Sequence, residues 1–306
     1  MPNCPEKYFT RSNFKKQYRL LASEHHPDLG GDPKVFAEIT TAYNAVKKYA
    51  DNDWMYGGID IIDGVTFNYL LKEPFELGTV YILGDKLLHR VDPVNADLLS
   101  PFELGSWLAR PYKDATKKEF AACIPLKTYL TMQGVVVDIP TGYLRLKDVQ
   151  EHQPLIDRHV AWIVSRLLNL CCWLSHTGVV HNAISTENVF IDPANHKVAL
   201  LGGWFYSVRQ GAKLLALPKK TVEFGPSSLL RDKVGSTKTD LEMVKVLARE
   251  LVGTNAPKAM LDYLNLPASD DARKEFKYWY DVVLTEAFGP KKFVELKVGN
   301  LYKTGE

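Results

Sequence analysis

The chain lacks a long uninterrupted apolar run. Its most apolar stretch, Val160 to Val180, is broken by Arg166, Asn169 and His176, and such polar groups are costly at bilayer depth. We therefore interpret this stretch as a buried core helix and expect no membrane contact. Low-complexity tracts and internal repeats are also missing, which argues against a repeat fibre.

Cysteine is scarce and shows no paired spacing. Of the 4 cysteines, Cys171 and Cys172 are sequence neighbours, which do not easily reach ordinary disulfide geometry. The opening residues Met-Pro-Asn-Cys-Pro have neither the positive region nor the apolar run of a secretory signal. We therefore expect a reducing, cytoplasmic compartment.

Neither sign of charge is in excess, with 38 Lys and Arg residues against 36 Asp and Glu residues. Charge alone therefore gives no reason to expect nucleic-acid binding. The 8 histidines lack the spacing of a zinc site, so we expect no metal. The chain does have 46% hydrophobic residues over 306 positions, enough for a large core in two domains or in one domain with an appendage.

The first pattern is an amphipathic helix that begins after Thr10 as its N-cap and ends at about His25. Its basic residues Lys15, Lys16 and Arg19 lie off the apolar face, so we expect them on the outer surface. Spacings of four, three and four residues place on one face the side chains of Phe14, Tyr18, Leu21 and His25.

A second helix follows a short loop. Pro27 ends the first helix, and Gly30-Gly31 supplies the turn. Asp32 is then the N-cap, with Pro33 at the first helical position, where its missing N–H costs nothing. Apolar residues at spacings of three, four and three predict the face of the second helix that packs on the first, made of Phe36, Ile39, Tyr43 and Val46. The result is an antiparallel pair with residues 26–31 at its tip.

The run from Phe14 to Asp32 resembles a J domain of the short kind, because His-Pro-Asp stands between a basic helix and an F-x-x-I-x-x-A-Y helix. In that family the tripeptide and the basic face engage a DnaK-type chaperone and stimulate its ATP hydrolysis. The resemblance implies a chaperone-binding site made of His26, Pro27, Asp28, Lys15, Lys16 and Arg19. The segment also resembles J segments of bacteria and their viruses, which would place the protein in a bacterial or host cytoplasm.

The rest of the chain predicts an α+β body of two lobes, since short strands come first and helices follow. We expect helices over residues 158–176, 240–251 and 270–287, the last with Ser269 as N-cap. The predicted strands form a small antiparallel sheet and are Val65 to Leu71, Gly78 to Leu83, Lys86 to Val91, Lys127 to Met132 and Val135 to Ile139. The predicted units are a hairpin (1–50), a linker (51–64), an N-lobe (65–150) and a C-lobe (151–306).

Residues 181–191 resemble the catalytic loop H-R-D-x-x-x-x-N of protein kinases, with His181 and Asn188 at its two ends. A strand-like segment follows at the distance where kinases carry the metal-binding D-F-G, and Gly202 stands at the position of its aspartate. Asp240 resembles the buried aspartate that braces the catalytic loop in this family. The resemblance therefore implies a kinase-like body.

The residues that carry the chemistry of that family are replaced. One carboxylate should accept the proton of the substrate hydroxyl and another should hold magnesium, but alanine and glycine occupy these positions. The strand expected to carry the phosphate-pairing lysine offers Arg90 or Lys86, with Glu103 as its partner. The degenerate site implied by the resemblance comprises Arg90, Glu103, His181, Ala183, Asn188, Gly202 and Asp240. We expect a pseudokinase rather than an enzyme, with no cofactor.

Several interpretations compete. The first is a J-domain adaptor whose kinase-like body binds an unknown protein client. Alternatives are an atypical active kinase that uses Asp192 or another carboxylate, and a nucleotide-binding switch that holds ATP near Arg90 and Asn188 without catalysis. A structural protein, with the hairpin as an assembly arm, is a further alternative. The tripeptide itself has a plainer interpretation as a helix stop.

Overall fold

The computed structural model of the chain describes residues 14–51, 55–62, 65–131, 133–290, 292–298 and 301. The predicted N-cap Thr10 lies outside these residues. The described chain opens with two helices, continues through a sheet and ends in a mainly helical region, so the predicted α+β class is confirmed.

The first two helices, α1 (Phe14–His25) and α2 (Pro33–Asp51), form the predicted hairpin. Ile39 is fully buried between them, and Tyr18 stacks on Tyr43 with ring centroids 3.9 Å apart. The helix ends follow from local chemistry, as predicted. The chain leaves α1 before Pro27, and the Asp32 carboxylate caps α2 by accepting a hydrogen bond of 2.8 Å from the Lys34 N–H.

The predicted small antiparallel sheet is confirmed. Its strands are β1 (Met55–Ile62), β2 (Val65–Phe75), β3 (Gly78–Ile82), β4 (Lys86–Val91), β5 (Thr128–Thr131) and β6 (Gly134–Asp138). They lie in the order β1-β2-β3-β4-β6-β5, and each is antiparallel to its neighbours.

Strand β1 corrects the predicted linker, because it lies within residues 51–64 and pairs with β2 over most of its length. Glycine and aspartate, which are poor strand formers, conceal it in the sequence. In the fold, the Asp60 carboxylate accepts a hydrogen bond of 2.8 Å from Lys72 and one of 2.9 Å from the Tyr81 hydroxyl. The negative charge of Asp60 is therefore paired within the sheet. Only residues 52–54 lie between the end of α2 and the start of β1.

The region after β4 is mainly helical. Its helices are α3 (Leu99–Leu108), α4 (Asp114–Phe120), α5 (Leu146–His152), α6 (Asp157–Thr177), α7 (Lys219–Phe224), α8 (Ser227–Asp232), α9 (Thr237–Leu251), α10 (Lys258–Asn265), α11 (Ala272–Tyr278) and α12 (Leu284–Phe288). Short strands accompany them and are β7 (Leu144–Arg145), β8 (Val179–Val180), β9 (Val189–Asp192), β10 (Lys197–Leu200) and β11 (Val208–Arg209).

The C-terminal helical stretch begins later than predicted and is not one α-helix. Asp271, rather than Ser269, is the N-cap of α11, because its carboxylate accepts hydrogen bonds from the N–H groups of Arg273 and Lys274. The Ser269 hydroxyl instead accepts from the Asp271 N–H and shapes the turn before the helix. A single π-helical turn, Trp279–Val283, separates α11 from α12.

The main hydrophobic core joins one face of the sheet to α6 and α9. The predicted core helix over residues 158–176 is confirmed as α6, and its central residues Ile163, Leu167 and Leu168 are fully buried. A separate small cluster holds the hairpin, with Ile39 and Ala42 at its centre. None of the helices in the described part of the chain has both the length and the apolar character that a membrane crossing requires.

The small hairpin core leads to a first prediction. Ile39→Ala removes its central side chain, so the local opening free energy of α1 and α2 should fall by roughly 2–5 kcal/mol. Amide hydrogen exchange on the full chain measures this, with Leu20→Ala as the control because Leu20 is 62% exposed. Unchanged protection of both helices in Ile39→Ala would contradict the burial of Ile39 between them.

Candidate functional site

The tip of the hairpin presents His26, Pro27 and Asp28 at the surface. Pro27 and Asp28 are exposed, and the side chains of His26 and Asp28 retain 41% and 87% of their accessible surface. Pro27 begins a single 3₁₀ turn, and the Asp28 N–H donates to Nδ1 of His26 over 3.2 Å. The His26 ring also meets the edge of Phe36, with centroids 5.0 Å apart. The imidazole is therefore held in place while the carboxylate remains in solvent.

The return of the chain from the tip requires glycine. A Cβ at Gly31 would lie 2.2 Å from the carbonyl carbon of His25, which is a backbone atom at the end of α1. Because a backbone atom cannot move aside as a side chain end does, the tight contact fixes the loop against the helix. The geometry of the tip is thus set by Pro27 on one side and Gly31 on the other.

The basic residues predicted to lie outside are exposed on α1. Lys15, Lys16 and Arg19 all lie on the surface, and Arg19 follows Lys16 and Lys15 at the helical spacings of three and four residues. The buried side of the hairpin is formed instead by Leu21 and Tyr18 against α2. A positive surface and the exposed tripeptide therefore occupy the same short element.

The second region of interest is the loop of residues 181–188, which Asp240 holds from α9. The two carboxylate oxygens of Asp240 accept hydrogen bonds of 2.9 and 2.8 Å from the backbone N–H groups of His181 and Asn182. Asn182 has a φ of 63°, a left-handed conformation that costs energy for a residue with a Cβ. Burial raises the pKa of Asp240 to about 7, against the lowering effect of the two N–H donors.

Two further contacts lock the same turn. The Thr221 hydroxyl donates to the Asn182 carbonyl over 2.7 Å, and a ring nitrogen of His181 lies 3.0 Å from the carbonyl of Gly202. Burial lowers the pKa of His181 to about 4, so the ring is neutral and acts as a hydrogen-bond donor to that carbonyl. The structure thus brings together His181, Ala183, Asn188, Gly202 and Asp240.

Asn188 occupies the space beside Gly202. A Cβ at Gly202 would lie 2.6 Å from Oδ1 of Asn188, closer than real Cβ contacts. The Asn188 amide is itself held, because its Nδ2 donates to the Ala183 carbonyl over 2.8 Å and to the Ser185 hydroxyl over 3.2 Å. At Gly203, φ is +79° and a Cβ would meet His181 at 2.8 Å. Glycine is therefore required at 203, and a side chain at 202 displaces Asn188.

Arg90 and Glu103 are not brought into this region. Arg90 points away from it on β4 and Glu103 is exposed on α3, and the ion pairs found among the described residues include neither of them. Lys86, the other candidate, pairs with Asp138 on the neighbouring strand over 2.7 Å. The expected role of Arg90 was wrong because successive side chains of a strand point to opposite faces. A shift of one residue along β4 therefore moves a side chain from the inside to the surface.

His89 lies on the inward face of β4, together with Leu87 and Val91. It is 4% exposed and lies among the aromatic rings of Phe75, Phe102 and Phe205, at centroid distances of 5.3, 6.0 and 5.4 Å. Its Nδ1 is buried, and none of the described residues offers it a hydrogen bond. Burial, with a smaller contribution from the positive charge of Arg145, lowers the pKa of His89 to about 3, so the imidazole is neutral. An aromatic cluster stands where we expected an ion pair.

The structure also contains a buried charge network that was not predicted from the sequence. Arg145 pairs with Glu73 of β2 and donates from Nε to Asp148 over 3.0 Å, and Lys147 reaches Glu73 over 3.1 Å. All of these side chains except Lys147 are nearly inaccessible. The sequence did contain one sign of this network. Glu73 follows Leu71 by two residues, so both side chains lie on the same, inward face of the strand.

These elements enclose a cavity of about 460 Å³ between the sheet and the loop of residues 181–188. His89, Phe205 and Ala183 line its buried end, whereas Glu76 and Lys219 lie at its exposed end. Glu76, in the β2–β3 turn, accepts hydrogen bonds of 3.1 Å from the Tyr206 hydroxyl and 2.8 Å from the Lys219 N–H. The turn is therefore tied to residues 206 and 219, which also line the cavity.

No arrangement for a metal ion accompanies the cavity. Within the ranges that the structure describes, no three or more histidine, cysteine, aspartate or glutamate side chains are grouped so that they could hold a metal ion.

Comparison with known proteins finds distant similarity to J-domain proteins over part of the chain. A segment of 150 residues, 47% of this chain, is 26% identical to the translocation protein SEC63 homolog of Homo sapiens, and the Mus musculus protein gives the same figures. A match of 73 residues, 23% of this chain, is 33% identical to chaperone protein dnaJ A6 of Oryza sativa subsp. japonica. No protein-family model matches the chain.

The matches cover 19% of the SEC63 homolog and 18% of dnaJ A6, so the chain spans about a fifth of the curated relatives it matches. The similarity is thus to J-domain proteins in part and does not extend to the whole of either relative.

The neutral, buried His89 predicts a pH dependence. Its folded pKa of about 3 lies below the unfolded value of 6.5, so the folded state binds fewer protons and loses stability as pH falls through 6.5. His89→Phe removes this loss while keeping a ring in the aromatic cluster. Between pH 7 and pH 5 the wild type should lose about 2 kcal/mol of unfolding free energy relative to the variant. Urea unfolding at both pH values measures this, and parallel pH profiles would contradict it.

Proposed function

We propose that the protein is a J-domain co-chaperone that recruits a DnaK-type chaperone and stimulates its ATP hydrolysis. The observation that carries the proposal is the exposed His26-Pro27-Asp28 tip, held by two clasped helices. The distant similarity to J-domain proteins supports the same class.

The electrostatics of the hairpin favour a negatively charged partner surface. The exposed cations of α1 would accelerate encounter with acidic side chains, an effect that salt screens over about 8–10 Å at ordinary ionic strength. The tip then supplies the specific contact, because the Asp28 side chain is 87% exposed and accessible to a cation of the partner. The cations of α1 would thus steer the encounter, and the residues of the tip would make the specific contact.

The test is steady-state ATP hydrolysis by a purified bacterial DnaK-type chaperone with and without the full chain. We expect stimulation by the wild type and a rate close to the unstimulated one with His26→Gln. The matched control is Lys34→Gln at the exposed start of α2, which should stimulate like the wild type. Equal stimulation by wild type and His26→Gln, or none by the wild type, would refute the co-chaperone function.

The body is proposed to be a kinase-like scaffold that binds a protein client without transferring phosphate. In this proposal the N-lobe begins at β1, the C-lobe follows residue 150, and the hairpin precedes both. Support comes from the loop braced by Asp240 and from Asn188, which fills the space that a carboxylate at residue 202 would need. Ala183 supplies no group that accepts a proton.

Because Asn188 fills the space beside Gly202, adding the two missing carboxylates should not produce phosphate transfer. The double variant Ala183→Asp with Gly202→Asp restores both carboxylates in sequence, but the second must displace Asn188 and break its two hydrogen bonds. We expect no phosphate transfer and a loss of about 2–4 kcal/mol in unfolding free energy. Radiolabelled phosphate transfer to a generic protein substrate and urea unfolding measure these outcomes, with the exposed Asp281→Asn as control. Phosphate transfer by the double variant would contradict the proposal that Asn188 blocks a working carboxylate at residue 202.

A further inference from the structure

One surface segment of the body, residues 209–233, carries an excess of positive charge and is called the basic segment below. Its exposed carboxylates are those of Glu223 and Asp232, and Asp232 is already paired with Arg231 over 2.7 Å. The whole chain is nearly balanced, with 38 basic against 36 acidic residues, so the excess is local. The exposed cations of the basic segment are Arg209, Lys213, Lys219, Arg231 and Lys233.

Two lysines of the basic segment do not contribute to this excess. The half-buried Lys220 pairs with Glu250 over 2.8 Å. Lys219 lines the cavity of about 460 Å³ together with Glu76 and Glu187, whose carboxylates offset its charge. The unbalanced charge therefore lies at residues 209, 213 and 233, where the segment begins and ends.

The backbone holds these two ends of the basic segment together. The Leu214 N–H donates to the Lys233 carbonyl over 3.0 Å, and the Gly211 N–H donates to the Gly235 carbonyl over 2.8 Å. Lys213 lies opposite Val234 in the same short antiparallel bridge. The ammonium groups of residues 213 and 233 are therefore kept near each other, and an anion between them would relieve their repulsion.

The basic segment is fastened to the body and still presents apolar side chains to solvent. The Thr221 hydroxyl donates to the Asn182 carbonyl over 2.7 Å, and Leu229 is only 3% exposed. Neighbouring apolar side chains remain outside, although the segment has these buried contacts. Large apolar side chains exposed on one anchored segment are typical of an interaction surface. They are Leu215, Val222, Phe224 and Leu230.

A groove lies beside Phe224 at the edge of the basic segment. Its volume is about 390 Å³, and Phe224 and Pro226 face Leu266 and Pro267 across it. Two charged residues also line it, and they are of opposite sign. They are Arg249 and Glu242, whose carboxylate accepts a hydrogen bond of 2.7 Å from the Ala268 N–H. The groove is thus apolar with no excess charge, and it offers space for an apolar side chain of a partner.

We infer that the basic segment is the surface on which the body binds its client, and that the client contributes an extended acidic peptide with interspersed apolar side chains. Carboxylates of the peptide lie against Lys213 and Lys233, and one apolar side chain enters the groove between Phe224 and Leu266. Charge complementarity supplies the orientation of the peptide, and burial of its apolar side chains supplies affinity. This inference rests on the proposed adaptor function and specifies the chemistry of the client.

Two other anionic partners fit the same surface less well. A nucleic acid offers mainly phosphate and sugar to a basic surface, so Leu215 and Leu230 would stay in water. An anionic membrane would cover these side chains, but a bilayer surface does not enter a groove that has protein on both sides. A peptide satisfies the charges, the exposed apolar side chains and the groove together.

The probe is a short fluorescein-labelled peptide in which glutamate and leucine alternate, titrated with the full chain and followed by fluorescence anisotropy. We expect binding in the micromolar range that weakens as salt is added, because the cations involved are exposed. Two comparison peptides, with lysine in place of glutamate or serine in place of leucine, should bind at least about tenfold more weakly.

Charge reversal tests the positive end of the surface. Lys213→Glu with Lys233→Glu should weaken binding of the glutamate–leucine peptide at least about tenfold. The matched control is Lys118→Glu with Lys127→Glu, the same charge change at exposed positions of another surface, which should leave binding within about twofold of the wild type. An equal loss in both double variants would show that only net charge matters and would overturn the inference.

A second pair of variants tests the groove. Phe224→Ser should weaken binding of the glutamate–leucine peptide at least about fivefold by removing one apolar wall. Val94→Ser is the control, because Val94 is 87% exposed and lies outside the basic segment. Absence of peptide binding to the wild type, or wild-type affinity in Phe224→Ser, would overturn the inference.

Competition distinguishes the three kinds of partner. Neither single-stranded RNA nor vesicles with phosphatidylserine should displace the peptide at equal concentration of negative charge, and displacement by either would overturn the choice of a peptide. The binding assay contains no chaperone. Its failure would therefore remove the client surface, whereas the ATP hydrolysis assay decides the co-chaperone function separately.

Discussion

The buried carboxylate of Asp240 is the contact on which the centre of the body depends. It fixes two consecutive backbone N–H groups and so holds Asn182 in a left-handed conformation that would otherwise relax. The position of His181 follows, and through its ring so does the carbonyl of Gly202. The floor of the cavity is therefore set by a side chain that lies outside it, on α9.

Local signals explain what the sequence predicts correctly. Pro27 and Asp32 set the ends of the hairpin helices through contacts with their immediate neighbours, and β4 spans the predicted residues. The paired role expected for Arg90 fails because a one-residue shift in strand phase reverses the face. The fold decides that phase by packing His89 against rings from β2, α3 and the segment after Gly203.

Contacts between residues that are far apart in sequence could not be predicted from local patterns. Glu73 and Arg145 lie 72 residues apart in sequence, and nothing near either residue indicates the partner. Strand β1 is hidden for a related reason, since Asp60 is a poor strand former until Lys72 and Tyr81 satisfy its charge. In both cases tertiary contacts override local preference. The position of a charge on an inward strand face remains a usable signal.

The contact between Asn188 and Gly202 limits which substitutions the loop can accept. Asn188 uses the space beside Gly202 for hydrogen bonds that stabilise its own loop. A carboxylate arriving at 202 would thus meet an occupied site, and a change at 188 alone would leave the Ala183 carbonyl without its amide donor. Each single step is disfavoured unless the other has already happened. Such reciprocal dependence makes an acidic residue at 202 hard to introduce by single substitutions.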